Sequence, residues 1–288
     1  MTNNEELQLL SEMVGTAPTP IQGVCTGLRL EKGGKRVSYT TFEDKIGCLT
    51  RDQISKVLAA PGRTTARVEF DSDWVLNQGQ RSSCAGYAAG GMMEKQYKRQ
   101  YGKRVKLGPE YIYAKANGGR DSGAVLRRVI EVAFEGCAIR EMVPYQSYLK
   151  RDHGPEAQMS AKRFRLAEGE IVGIHSDDEL ASALALNWLV LLACDVTDNW
   201  FKLDANGVVL PCLNGPGNHA IHADDVRINA KGEYEYDHQG SWGLSYGQKG
   251  RAWISWAKHL KNTTKHHEFV AIRAMYPDPD ADTLPLPK

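Results

Sequence analysis

The sequence lacks several features that would place it in familiar classes. Its six cysteines, at 25, 48, 84, 137, 194 and 212, form no C-x-x-C pair and no metal-ligand spacing. No metal, cofactor or disulfide framework is therefore expected, and free thiols fit a reducing compartment. Neither sign of charge dominates: 36 Lys and Arg stand against 35 Asp and Glu, a net +1, which argues against nucleic acid or a membrane surface as partner. Long apolar runs are absent too. The most apolar stretch, Trp188 to Cys194, is far too short to cross a bilayer and reads as a buried strand. The opening MTNNEELQLLSEMVG has no positive start followed by an apolar segment, so a cytoplasmic location is expected.

What is present suits a soluble globular protein. At 288 residues, 42% of them hydrophobic, the chain can bury a large core without disulfides. Residues 1–65 read as an N-terminal extension with little core of its own: helical patterns at Glu5–Val14 and in TRDQISKVLAA flank a turn at Lys32–Lys35. Residues 66–175 read as helical. Ser82 or Ser83 is placed to cap a helix from about Cys84 to Tyr101, Pro109 opens a second helix, and a third stops at Gly136. Residues 176–276 open with a Ser176-x-x-Glu179 capping box and continue in short strand patterns: WLVLLACDV, GVVLPC, HAIHADDVRI, EYEYDH, RAWISWA and HEFVAIRAM. Residues 277–288 form an acidic, proline-rich tail. A helical half followed by a strand-rich half predicts an α+β protein of two lobes.

The chemistry centres on Cys84. A thiol becomes a nucleophile when its pKa is lowered, and a helix N-terminus and an imidazolium are the usual agents. Cys84 would have the first. Gln78, upstream in NQG, is placed to donate to an oxyanion. His219 opens a strand after the glycine-rich NGPG and is the better imidazole candidate, with His222 as the alternative on the opposite face of that strand. Trp253 and Trp256 read as packing residues, and His266 with His267 as a solvated turn.

In these motifs the chain resembles the papain-like cysteine peptidases. NQGQRSSC is similar to the family's oxyanion glutamine and nucleophile, NHAI to its catalytic histidine motif, and LGPEYIY and GCAIREMVPY to segments of its helical lobe. GSWGLSYGQKGRAWIS resembles its N-S-W-G-x-x-W-G-x-x-G-Y stretch. The likeness covers about residues 66 to 275, with His219 lying 135 positions after Cys84. It implies a helical left lobe, an antiparallel, barrel-like right lobe and cysteine endopeptidase activity. Cys84 would be nucleophile, His219 acid and base, and Gln78 oxyanion donor. Trp242 would shield the histidine, and Gly119 or Gly123 would pair with a peptide or protein substrate in a cleft between the lobes. Residues 42 to 58 faintly resemble the end of the family's inhibitory propeptide.

Four positions depart from the family pattern. Where the family signature has Cys-Gly before the nucleophile's neighbour and an aromatic after the nucleophile, this chain has Arg81, Ser82 and Ala85. Gly240 stands where the family's asparagine would orient the histidine ring. Gln239, His238 or Asp237 could take that role, Gln239 being the closest chemical substitute, and Gly240→Asn is expected to raise activity. A second reading therefore stays open: a papain-fold binding or structural protein of weak or lost activity. In character the chain is nearer to prokaryotic or phage-encoded members than to secreted ones, so a virion or another assembly is a partner to consider.

Overall fold

The computed structural model of the chain describes residues 26–30, 39–63, 74–212 and 215–277. Cys25, the Glu5–Val14 pattern, the Lys32–Lys35 turn and the tail from Asp278 lie outside them. The described N-terminal part contains a short strand, β1 (Leu28–Arg29), and two helices, α1 (Phe42–Lys45) and α2 (Arg51–Leu58). Thr50 and Gln53 cap α2 reciprocally: Thr50 Oγ1 accepts from the Gln53 N–H and Gln53 Oε1 from the Thr50 N–H.

These two helices do contribute to a core. Phe42 and Ile54 are fully buried, and Phe42 meets Trp188 edge to face at 5.6 Å. Leu49 N–H donates to Ser182 Oγ at 2.9 Å, and Arg63 pairs with Asp225 at 2.6 Å. Residues 39–63 are thus bound to the strand-rich half and make these contacts there, although residues 42 to 58 suggested an inhibitory element.

The first lobe consists of α3 (Cys84–Tyr101), α4 (Pro109–Ala116), the two-residue strand β2 (Ala124–Val125) and α5 (Leu126–Glu135), with α6 (Pro155–Ala161) beyond. Small residues let α3 be buried on nearly all sides. A Cβ on Gly86 would stand 2.8 Å from Tyr113 Cβ, and one on Gly90 2.9 Å from Pro109 Cβ, so α4 approaches α3 at backbone distance. As the sequence predicts, Pro109 opens α4 and α5 stops at Gly136, where φ is +121°.

The second lobe begins with β3 (Ile171–Ile174) and α7 (Asp177–Ala185), followed by β4 (Leu189–Cys194), β5 (His219–Ile228), β6 (Tyr234–Gln239), β7 (Arg251–Ile254) and β8 (Phe269–Ile272). The strands form one six-stranded sheet in the order β3-β8-β4-β5-β6-β7, every neighbouring pair antiparallel. This is the α+β two-lobe architecture that the sequence predicts. Ser176 caps α7 by accepting from the Glu179 N–H at 3.2 Å, but the Glu179 carboxylate turns to the His175 N–H instead of completing the box.

Three local expectations fail. GVVLPC makes only isolated bridges, Val208 to Trp253 and Leu203 to Val209, and Pro211 has no N–H to extend them. RAWISWA is a strand only to Ile254, after which Trp256–Leu260 wind into a helical turn. His267 is buried, its ring 3.0 Å from where a Gly217 Cβ would stand. Among the described residues no helix is long and apolar enough to cross a membrane.

A buried ionic cluster joins the lobes. Asp224 on β5 bonds both Lys95 of α3 and Arg251 of β7, and Arg251 Nε reaches Asp237 at 3.0 Å. Burial alone would raise the Asp224 carboxyl, but Arg251 and Lys95 overcome this and hold it well below the usual carboxylate range. Its stabilising contribution is therefore complete above roughly pH 4, the unfolded value, and is lost progressively as pH falls further. Asp224→Ala takes the paired carboxylate from buried Lys95 and leaves Arg251 with Asp237 alone, and is expected to cost about 3–5 kcal/mol, read as a lowered urea midpoint at pH 7.

Candidate active site

The loop before α3 is fastened to the second lobe through Gln78. Its backbone N–H donates to Ser241 O at 2.8 Å, its Oε1 accepts from Ser241 Oγ, and its Nε2 donates to Arg81 O at 2.7 Å. The chain then enters α3 with Ser83 at the N-cap. Contrary to the expected cap, Ser83 Oγ makes no hydrogen bond. The amide groups at the helix start are thus left to the sulfur: the backbone N–H groups of Cys84 and Ala85 face it, as do those of Ala220 and Gly27.

Ala220 follows His219 at the start of β5, so the cysteine and histidine sequence motifs meet where the helical lobe abuts the sheet. The His219 imidazole lies flat on the Trp242 indole, centroids 4.2 Å apart and planes inclined by 13°. Both residues of the pair, Cys84 and His219, are fully buried, and neither ring nitrogen has a hydrogen-bond partner, the thiol included. Burial pushes the Cys84 thiol up to about 11, against the lowering pull of the four amides, and pushes the His219 imidazolium down to about 3. In this arrangement both groups are neutral. The lowered thiol pKa expected of a helix N-terminus is not what the structure shows, because desolvation outweighs the amides.

Part of what covers them is the segment 26–30. Gly27 lies so close to the loop before Cys84 that a Cβ there would stand 1.9 Å from Ser82 O. Its carbonyl accepts from the Ala124 N–H at 2.8 Å, and the next residue, Leu28, donates its N–H to Asn218 O at 3.0 Å. β1 and β2 pair in parallel, Leu28 opposite Ala124 and Arg29 opposite Val125. The segment thus bridges the two lobes, with an N–H group turned to the sulfur.

The two glycines expected to face a substrate are separated. Gly123 lies at the cleft, where a Cβ would meet Gly27 O at 2.1 Å. Gly119 lies on the open part of the loop, its N–H bonded to Asn117 Oδ1 at 2.7 Å, with nothing near its missing side chain. Asp121 fixes this loop: it accepts from Ser82 N–H at 3.0 Å and Tyr113 Oη at 2.7 Å and pairs with Arg81 at 3.1 Å.

None of the suggested substitutes for the orienting asparagine reaches His219. Gln239 Nε2 donates to Trp74 O at 2.7 Å, His238 Nε2 lies 2.8 Å from Tyr246 Oη, and Asp237 holds Arg251. Position 240 itself is closed, since a Cβ on Gly240 would stand 2.5 Å from Tyr246 Cδ1. His222 packs against Gly91, about two turns along α3 from Cys84, with Nε2 4.0 Å from Asp224 Oδ2. Ser241, Asp121, Asn218 and Gly27 carried no sequence signal of their own: two act through backbone carbonyls or amides, and two through partners distant in the chain.

A family model described as "Papain family cysteine protease" matches residues 63–272. Among curated proteins, cathepsin K of Gallus gallus is 25% identical over 240 residues, which cover 77% of this chain and 71% of that protein. Among solved structures, xylellain, a cysteine protease from Xylella fastidiosa, aligns with a TM-score of 0.64 at 18% identity, covering 90% of this chain and 99% of its own. A recombinant stem bromelain precursor aligns with a TM-score of 0.60 at 15% identity, covering 96% of this chain and 89% of its own.

Proposed function

The chain belongs to the papain family of cysteine proteases and is a cysteine peptidase acting on peptide or protein substrates, and from that premise we propose that Cys84 is its nucleophile, His219 its acid and base, and residues 26–30 an inhibitory occupant of its cleft. The observation that carries this reading is the Cys84 sulfur, set against helix-start amides and the N–H next to His219.

With the segment withdrawn, water returns, the desolvation that keeps both groups neutral is relieved, and the proton can pass from Cys84 to His219. The thiolate attacks the substrate carbonyl carbon, forming a C–S bond while the C=O electrons move onto oxygen. The Cys84 N–H and the Gln78 amide, turned from Arg81 O, are the donors nearest to that oxyanion. As the C–N bond breaks, His219 gives its proton to the departing amine. Water then attacks the thioester, passing a proton to His219, and the acid product leaves with the thiolate restored.

The segment 26–30 escapes this reaction in its observed pose. With the segment in place burial keeps the Cys84 thiol protonated and the His219 ring neutral, so no thiolate is formed to attack it. The match of the bromelain precursor over 96% of this chain supports reading the N-terminal part as a pro-segment. Five described cysteines are free, four of them buried, which supports a reducing site of action. Nothing favours the structural or virion-associated alternative.

Gln78→Ala tests the assignment. It is expected to lower kcat on a short peptide by about a hundredfold to a thousandfold, with Cys84→Ala abolishing turnover. Activity that survives Cys84→Ala would refute the nucleophile assignment.

A further inference from the structure

We propose that Tyr246 is a positioning residue of this site: by filling the space that a side chain at position 240 would occupy, it holds the Trp242 indole flat against His219, so the ring is oriented by stacking and not by a hydrogen-bonded third side chain. The proposal rests on the assignment of Cys84 and His219 given above.

The connection between β6 and β7 folds back on itself. Gly240 N–H donates to Gly250 O at 3.0 Å and Gly250 N–H to Tyr246 O at 2.6 Å, which returns Tyr246 beneath Gly240. Its ring would lie 2.5 and 2.8 Å from a Cβ at that position. The backbone of Gly240 does not adopt the left-handed conformation reserved for glycine, and the three atoms nearest to a side chain there all belong to the tyrosine ring. Glycine at 240 and tyrosine at 246 are thus a matched pair.

The ring also serves as a wall. Tyr246 meets Trp242 edge to face at 5.3 Å, Phe201 meets Trp242 at 5.2 Å, and Phe201 and Tyr246 touch each other at 6.1 Å. Both rings thus pack against the indole on which His219 is stacked. The Tyr246 hydroxyl is anchored by His238, which points the ring inward. Once His219 gains its proton, the imidazolium lies over the indole face, a favourable site for a cation. Trp242 then supplies both the orientation and part of the charge stabilisation that an amide partner would give.

The test uses the full chain carrying Gly27→Val to open the cleft, with kcat, KM and melting temperature measured for each further variant. Tyr246→Phe keeps the ring and is expected to stay within about threefold of the parent in kcat. Tyr246→Ala frees Trp242 and is expected to lower kcat about tenfold to a hundredfold with KM little changed, as misplacing a reacting group does. Gly240→Asn alone collides with the ring and is expected to be similarly poor, whereas Gly240→Asn combined with Tyr246→Ala is expected to exceed both single variants, because the amide enters the emptied space. Tyr246→Leu, which keeps part of the volume, serves if the alanine variant melts below the assay temperature.

Full kcat in a folded Tyr246→Ala or Tyr246→Leu chain would overturn the proposal, as would a double variant no better than its parents. Tyr246→Phe as poor as Tyr246→Ala would do the same by assigning the effect to the hydroxyl. Turnover unaffected by Cys84→Ala would instead refute the assignment of the site itself.

Discussion

Gly27→Val is expected to raise hydrolysis of an unstructured peptide about a hundredfold in the otherwise intact chain. The substitution touches no group that takes part in the chemistry. Its effect comes from space: a Cβ at residue 27 would meet the Ser82 carbonyl oxygen at 1.9 Å, and that atom belongs to the fixed loop before Cys84. A backbone neighbour cannot rotate away as a side chain can, so the segment itself must leave. Overpacking of this kind costs roughly 3 kcal/mol, and spent on a local opening equilibrium it multiplies the open population about a hundredfold. The hydrogen bonds from Ala124 to Gly27 and from Leu28 to Asn218 are lost together with the β1–β2 pairing. Residues 39–63 stay docked, because their contacts are with Trp188, Ser182 and Asp225. A Gly27→Val chain with an unchanged melting curve and unchanged turnover would show that residues 26–30 do not restrain the enzyme.

The second large effect separates two histidines three residues apart. His219→Ala, in the opened chain, is expected to lower kcat/KM by about four orders of magnitude or more, since the thiol then has no proton acceptor and the departing amine no donor. His222→Ala is expected to keep kcat within about tenfold and to reduce stability by about 1–3 kcal/mol. His222 is buried against Gly91 and faces the Asp224 cluster, so its loss is a packing and ionic defect. Measuring turnover and melting temperature on both variants distinguishes the roles, and a His222→Ala chain that folds normally but has lost turnover would reverse the assignment.

Much of this architecture could be read from the residues because its signals are local. β5 runs from His219 to Ile228 as its alternating pattern predicts, Pro109 opens α4, and Gly136 ends α5. The strand β3 was missed because IVGI is only four residues long, wholly buried and interrupted by glycine, too short for a period-two pattern. Residue types mark the candidate site in the sequence, but its electrostatic state is not legible there. Helix position alone argues for a low thiol pKa at Cys84, but burial outweighs it and sets the thiol near 11. That burial involves a segment more than fifty residues upstream, and no local pattern announces the contact.

Gly240 shows the same limit. Read against its neighbours in sequence, it is a missing side chain that Gly240→Asn should restore. In three dimensions the space belongs to Tyr246, six residues later, and the single substitution is expected to harm the enzyme. Gln239, the chemical substitute suggested by adjacency, is on a strand whose side chains alternate, and its amide bonds Trp74 O instead.

Cys84 and His219 are expected to form an ion pair once residues 26–30 withdraw. The most direct measurement is the rate of Cys84 alkylation by iodoacetamide as a function of pH in the Gly27→Val chain, with the modified residue identified by peptide mapping. A rate that stays high well below the ~8.5 of a free thiol, and that loses this acid-side reactivity in His219→Ala, is the predicted result. Alkylation that rises only at or above that value, with or without His219, would contradict the account.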